Sequence, residues 1–430
     1  MRRYEVQNSV LNGEIGVPGA KNSSLALLAA ACMAGEDVIL ENVPDILDVE
    51  VIKHIYDDIN IKHMTKEGKL HINSGEVLSG DICPVKSSRY RASYYFIGAL
   101  LHRFGRVSIG YPGGDNFGSR PIEQHVKGFQ ALGADILYKE DHYVVYLEKG
   151  KKLIGNKIYF DVITSGATMN ILMVAVLAEG RTILKNAARD PEVVDLAMML
   201  SQMGAKIKGA GTDTIVIDGV EKLGGCTHSV IPDRLIAGSL LIAAGATGGS
   251  VKVKDIIPEH LMSVISKLEE AGMEFEIGED YIRNKVINQP MGIKVTTGMY
   301  PSFATDLQQP MTALLINANS DSQITEKIYP NRFKHCYELN KLGAGIIIKE
   351  GKSIIPGKHN LKGEWVEATD IRAGISLIIA GMMAEGTTYI TGIEHLERGY
   401  PDVIEVFQSL GGKIEYKENV EKEECEIVTA

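Results

Sequence analysis

Six stretches of the chain are apolar on nearly every side, and each runs into a turn and a β-branched segment. They are NSSLALLAAACMAGEDVIL, RASYYFIGALLHRFGRVSI, GATMNILMVAVLAEGRTIL, DRLIAGSLLIAAGATGGSVKV, DLQQPMTALLINANSDSQI and DIRAGISLIIAGMMAEGTTYI. A helix with no polar face is stable only when surrounded, so the pattern predicts six buried helices, each followed by a strand. A second signature recurs between them: a periodic apolar stretch, then Leu-Gly-Ala or a close variant, then a strand-like run. It reads ALGADILY, QMGAKIKG, EAGMEFEI, KLGAGIII and SLGGKIEY, with its glycine at Gly133, Gly204, Gly272, Gly343 and Gly411, at intervals of 71, 68, 71 and 68 residues. Each copy predicts an amphipathic helix that ends at a C-terminal glycine. A degenerate first copy, DVEVIKHIYDDINIKHM, has Asn60 where the glycine would fall. Units of about 70 residues, each mixing two helices with several strands, predict an α/β protein. A solenoid would expose one face, so the six units are expected to close into two globules of three.

The length of 430 residues exceeds one ordinary core and suits two globules. Hydrophobic residues at 45% and charged ones at 23% exclude extensive disorder. Lysine and arginine number 45 against 55 aspartates and glutamates, a net charge of −10, which excludes a generally basic, nucleic-acid-coating surface. Five cysteines (Cys32, Cys83, Cys226, Cys336, Cys425) are scattered without a C-x-x-C pair. That spacing suits neither a disulfide framework nor a structural zinc site and predicts thiols in a reducing cytoplasm. The start, MRRYEVQNSVLNGEIGV, lacks the apolar core of a signal peptide. The best apolar runs, 25–33 and 235–246, fall short of the roughly 20 residues that span a bilayer. A soluble, cytoplasmic protein is expected.

The beginnings of the six helices carry the chemistry. In order they offer Lys21-Asn22, Arg91, Thr164-Ser165-Gly166, Asp233-Arg234, Thr305-Asp306 and Asp370-Ile371-Arg372. Asp233, Thr305 or Asp370 alone reads equally well as an N-cap. Capping does not account for Lys21, Arg91, Arg234 and Arg372, because a cation at a helix N-terminus is unfavourable. Such cations fit if they share an anion with the dipole, so the pattern predicts a cleft where several helix N-termini converge on a multiply anionic ligand. Three loops remain: GYPGGDNFGSRPIEQH with Asp115, Arg120 and His125; IEHLERGYPDVIE with Glu397 and Arg398; and NRFKH around Arg332. The first matches neither a Walker loop nor a dinucleotide fingerprint.

Together the strings GAKNSSLALLAA, RASYYFIGALL, PGG-x-x-x-G-x-RPI-x-x-H, GAT-x-N, NAARDPEVVDLA, IPDR, ATDIRAG and IEHLERGYPD resemble the UDP-N-acetylglucosamine enolpyruvyl transferases along the whole chain. Enolpyruvylshikimate-phosphate synthase, of the same superfamily, lacks the long PGG loop and fits less well. The resemblance implies a two-domain inside-out α/β barrel, six repeats of a βαβαββ-type unit, three per domain, around buried parallel helices. Domain 1 would span 21–229 and carry a mobile loop at 110–125. Domain 2 would take 1–20 and 230–430, with the N-terminal strand returning to it and the active site between the domains.

The resemblance also implies the reaction, which starts peptidoglycan precursor synthesis. The enolpyruvyl group of phosphoenolpyruvate moves to the 3-hydroxyl of UDP-N-acetylglucosamine and phosphate leaves, by addition and elimination through a tetrahedral intermediate. Lys21, Asn22, Arg120, Arg332, Arg372 and Arg398 match phosphoenolpyruvate positions, where guanidinium forks suit carboxylate and phosphate. Asp306 matches the general base for the addition step, and Lys21, Arg398 and Asp115 complete the catalytic set. The UDP-sugar would meet Asn22, Arg91, Arg120, Pro121, Ile122, Glu123, Gln124, Val162, Ile163, Thr164, Ser165, Asp306 and Ile328. No metal or cofactor is implied, no nucleic-acid or membrane partner is expected, and the chain would be a monomer or weak homo-oligomer.

Departures from the family pattern matter. Asp115 stands where a loop cysteine is common, the thiol that the epoxide antibiotic fosfomycin alkylates, so insensitivity is expected. Ile236 replaces a frequent glutamate, Val162 a lysine of some members, and Thr164-Ser165 a Ser-Val pair. These leave two other readings open: a paralogue acting on another uridine nucleotide, and a non-catalytic UDP-sugar-binding paralogue. His125 reads as catalytic support or a substrate contact, and equally as a helix-surface histidine, and Met198, Met199 and Met203 as core packing.

Overall fold

A computed structural model of the chain describes residues 2–88, 91–113, 121–286 and 289–418. The six apolar stretches form helices α1 (Lys21–Ala31), α2 (Tyr95–Phe104), α3 (Ser165–Ala175), α4 (Arg234–Ala246), α5 (Gln308–Ile316) and α6 (Ile371–Met383). Helix α1 buries every residue except Asn22, α4 every residue except Arg234, and α5 all of its length, as helices without a polar face require. α2 and α5 are each entered through one 3-10 turn, Arg91–Tyr94 and Thr305–Leu307, rather than starting directly at Arg91 or Thr305. Helices α1, α2 and α3 pack on one another, and so do α4, α5 and α6. The buried hydrophobics divide in the same way. One cluster runs from Leu25 to Val230, and the other gathers Tyr4 to Val17 with Leu235 to Ile414.

The described residues form five four-stranded sheets and one three-stranded sheet. Each four-stranded sheet has one parallel pair extended by two antiparallel partners. In one, Cys226–Ser229 runs parallel to Val38–Glu41, which pairs antiparallel with Lys69–Asn73 and through it with Lys62–Lys66. The strand Arg2–Gln7 lies between Thr387–Thr391 and Lys413–Glu418, and Asn12–Gly16 runs parallel to Ser250–Lys254. The chain start therefore completes sheets made from its second half. The sheets are open, and the fold is mixed α/β.

The recurrent glycines stand just past helix ends, with φ of +99° at Gly133, +107° at Gly204, +88° at Gly272, +97° at Gly343 and +88° at Gly411. Asn60 adopts φ +62° in the degenerate copy, a conformation asparagine tolerates better than most residues. The methionine group divides: Met199 and Met203 are buried, but Met198 is 54% exposed because it lies on the outer side of the helix Pro191–Gln202. Of the acidic tail, Lys417 and Glu418 end the strand Lys413–Glu418, and 419–430 lie outside the described residues. No helix among the described residues is long and apolar enough to cross a membrane.

One buried group makes stability depend on pH. Burial, and secondarily the Arg332 charge, pushes His335 down to about 3. The unfolded chain takes up a proton near pH 6.5 that the folded chain refuses, so stability falls with pH below that value. Going from pH 6.5 to 5 is expected to remove about 1.6 kcal/mol through this residue, the slope reaching about 1.4 kcal/mol per unit only well below 6.5. Denaturant midpoints of the wild type and H335Q across this range check it. Equal slopes would refute the assignment.

Candidate active site

The N-terminal ends of all six buried helices open onto one cleft of about 1070 Å³ that receives residues from both hydrophobic clusters. Three ends are capped by side chains. Thr164 Oγ1 accepts from Ala167 N at 3.4 Å, Asp233 Oδ1 from Leu235 N and Ile236 N at 2.8 and 3.0 Å, and Asp370 Oδ1 from Arg372 N and Ala373 N at 2.9 and 3.1 Å. Asp233 also accepts from the backbone N of Lys21 at 3.1 Å, tying the start of α1 to the start of α4. Asp306 lies in the 3-10 turn Thr305–Leu307 that enters α5. Its carboxylate is turned to two arginines.

The cations come in sets organised by carboxylates. Asp48, buried, takes Lys21 Nζ at 2.7 Å on one oxygen and Arg398 Nε at 3.2 Å on the other. Burial holds the Lys21 ammonium below the ordinary lysine range, and Asp48 opposes that shift. Asp306 receives Arg332 Nη1 at 2.6 Å and Arg372 Nε at 3.4 Å. Arg372 Nη1 also donates to Tyr400 Oη at 2.9 Å, and that hydroxyl donates to Ser239 Oγ at 3.1 Å. Each carboxylate is thus shared by two cations, and Arg332 Nη2 also lies 4.0 Å from Asp370 Oδ1, so the guanidinium groups are held in place before any ligand arrives. In a third set one cation meets two acids. Arg234 lies 3.2 Å from Glu192 and 3.5 Å from Asp190, with its guanidinium 5.3 Å from the Tyr300 ring centroid. Burial raises the Glu192 carboxyl above its usual range although Arg234 opposes it.

Most of the sequence candidates for the nucleotide line the same cleft. Asn22, Pro121, Glu123, Gln124, Val162, Ile163, Thr164, Ser165 and Ile328 line the cleft. Ile122 does not, because its side chain packs against the core cluster of the first half. Asp161 fixes Gln124 in place: its N donates to Gln124 Oε1 at 2.9 Å, and its Oδ2 accepts from Gln124 Nε2 at 3.1 Å. Glu326 does the same for the facing loop, accepting from Ile328 N at 2.7 Å and Thr305 Oγ1 at 2.8 Å. Ile236 is buried in the core beneath the start of α4. Asp115 and Arg120 lie outside the described residues, as does the side chain of Arg91. His125 is not a helix-surface histidine. It is 5% exposed, lines the cleft, and meets Tyr94 edge to face at 4.5 Å.

Sequence reasoning missed Asp48, Asp190, Glu192 and Glu326, which hold the cations and loops in place. An acid that serves a cation far along the chain leaves no local spacing signal. The cleft is also rich in acids. Among the described lining residues, Lys21, Arg234, Lys327, Arg332, Arg372 and Arg398 are balanced by Asp48, Glu123, Asp161, Asp190, Glu192 and Asp306. The described cations of the cleft are therefore matched in number by acids, and Lys21, Arg398, Arg332 and Arg372 are gathered at two places in it. Among the described residues no group of three or more His, Cys, Asp or Glu is placed to hold a metal ion.

Comparison with known proteins extends this picture. Residues 6–407 match the family model of EPSP synthase (3-phosphoshikimate 1-carboxyvinyltransferase). The chain is 46% identical over 418 residues to UDP-N-acetylglucosamine 1-carboxyvinyltransferase 2 of Geobacillus kaustophilus, covering 97% of each chain. It is 44% identical over 419 residues to the protein of that name in Bacillus subtilis, covering 97% of this chain and 96% of the other. Among solved structures, the enolpyruvyl transferase NikO from Streptomyces tendae superposes with a TM-score of 0.88 at 22% identity, over 97% of this chain and 99% of that one. EPSP synthase from Acinetobacter baumannii does so with a TM-score of 0.73 at 19% identity, over 97% and 100%. The two structures agree on fold, while the close relatives over the full length place the sequence: the chain belongs to the enolpyruvyl transferase family of EPSP synthase, among the UDP-N-acetylglucosamine 1-carboxyvinyltransferases.

Proposed function

We propose that the chain transfers the enolpyruvyl group of phosphoenolpyruvate to the 3-hydroxyl of UDP-N-acetylglucosamine and releases phosphate. One observation carries the reading: two carboxylate-centred cation pairs and six helix N-termini face one cleft, in a chain 43–46% identical to carboxyvinyltransferases for that acceptor. Lys21 and Arg398 with Arg332 and Arg372 would hold the carboxylate and phosphate of phosphoenolpyruvate, joined by Arg120 from the loop. Their positive charge is greatest in effect when the tetrahedral intermediate forms, because preorganised donors need no rearrangement at that moment. Asp306 would take the proton of the sugar hydroxyl, and Asn22 would hold the sugar. Asp115 would deliver a proton to the methylene carbon. The wall of Pro121, Glu123, Gln124, Val162, Ile163, Thr164, Ser165 and Ile328, with Arg91, would carry the UDP moiety.

The same reading extends to organisation. The two helix trios and two hydrophobic clusters support domains at 21–229 and at 1–20 with 230–430, and the strand pattern shared by five of the six sheets supports repeated units. We place the protein in the cytoplasm as a monomer or weak homo-oligomer, at the start of peptidoglycan precursor synthesis.

Phosphate release from phosphoenolpyruvate tests the function. Release is expected with UDP-N-acetylglucosamine and not with UMP or without acceptor. Release with UMP at a comparable rate would replace the acceptor, and none with any nucleotide would refute the activity.

A further inference from the structure

The side chain of Asn170 settles which nitrogen of His125 carries the proton. Asn170 lies on α3 facing α2, where Gly98 permits the approach: a Cβ on Gly98 would fall 2.4 Å from Asn170 Oδ1. The Asn170 amide spans the backbone groups of Tyr94 and Gly98. Gly98 N donates to Asn170 Oδ1 at 2.9 Å, and Asn170 Nδ2 donates to the Tyr94 carbonyl at 3.0 Å. Both partners are backbone groups of fixed polarity, so the amide cannot be flipped without setting donor against donor and acceptor against acceptor. The remaining contact, Asn170 Nδ2 to His125 Nδ1 at 3.2 Å, is then a donation to the ring nitrogen. His125 Nδ1 is the acceptor, and the ring proton sits on Nε2.

Nε2 is directed to a particular place. The position of a Cβ on Gly166 lies 3.5 Å from His125 Nε2 and 2.4 Å from Tyr94 Oη, so both polar tips stand over the first turn of α3. That turn contains no acidic residue, and His125, Tyr94, Ser165 and Gly166 all line the cleft. The protein thus places a histidine N–H beside a positive helix end.

We infer that His125 is a neutral Nε2–H donor to a diphosphate oxygen of the nucleotide-sugar acceptor, and that Asn170 is the positioning residue that enforces this tautomer. The inference rests on the proposed acceptor. A diphosphate at the N-terminus of α3 would receive a directed hydrogen bond from an uncharged ring. The acceptor thereby gains specificity from geometry without another cation in a cleft whose described lining already holds six.

The full-length protein labelled with 15N-histidine supplies the direct readout. Long-range 1H–15N correlation at neutral pH is expected to show His125, identified by its loss in H125Q, as the Nε2–H tautomer. N170A is expected to mix the tautomers. Calorimetry with UDP-N-acetylglucosamine is expected to give H125A a ~10–100-fold weaker Kd, with H125Q, whose amide nitrogen can replace Nε2, recovering most of the loss. In turnover the H125A loss should fall on KM for the nucleotide more than on kcat. An Nδ1–H or imidazolium form would overturn the inference, and so would H125A binding the nucleotide as the wild type does. A wild type that binds no UDP-N-acetylglucosamine would instead bring down the acceptor reading, and this inference with it.

Discussion

D306N is expected to lose ~10²–10⁴-fold in kcat, the range over which a positioned general base contributes, while still binding the UDP-sugar. Asparagine keeps the shape and one oxygen, so the pairing with Arg332 at 2.6 Å has a substitute and the buried guanidinium is not stranded. Asp306→Ala would confound the result, since it leaves Arg332 and Arg372 without the carboxylate they share. The geometry explains how Asp306 can be both a counter-ion and a base. Its two oxygens are fixed by guanidinium groups from different segments, so the carboxylate plane is defined, and it lines the cleft at 28% side-chain exposure, open to a hydroxyl. Single-turnover phosphate release separates chemistry from binding. A D306N enzyme retaining more than roughly a tenth of wild-type kcat would place the base elsewhere, because that loss is below what base removal costs.

The same carboxylates show what a sequence can reveal about such a site. The buried helices were legible because a helix of nine residues or more without a charged face has one stable outcome, and the repeated glycine marked the helix ends because positive φ restricts residue choice. Lys21, Arg234 and Arg372 were legible as odd residues, cations where a helix dipole repels them. Asp48 was not legible. It sits in the first turn of the helix Leu47–Asp58, where an acid is ordinary, and only the fold brings it between Lys21 and Arg398, the latter 350 residues away. His125 could not be decided from sequence for a related reason: its burial and tautomer depend on Asn170 and Gly98, which belong to two other helices. Sequence therefore identifies the residues that approach the ligand more readily than those that orient them.

Wild-type enzyme is expected to resist fosfomycin completely under conditions where Asp115→Cys is inactivated within minutes, with the adduct visible by mass spectrometry. The chemistry of inactivation needs a thiolate that attacks an epoxide carbon, breaks its C–O bond and leaves an alkoxide to take a proton. A carboxylate at position 115 is a far weaker nucleophile, and the other thiols are poorly placed: among the described residues no cysteine lines the cleft. Burial pushes the Cys32 thiol up to about 12 and raises Cys226 and Cys336 as well, so they stay protonated. The substitution also predicts opposite behaviour with pH. To donate a proton near neutrality, a carboxyl of ordinary value about 3.9 must be raised far more than a thiol of about 8.5. In the proposed role, the negative charge of bound phosphoenolpyruvate and exclusion of water would have to raise it. The wild-type kcat should therefore fall with rising pH well before that of Asp115→Cys, whose proton persists to higher pH. Equal alkaline limbs, or fosfomycin inactivation of the wild type, would take Asp115 out of the proton-donor role.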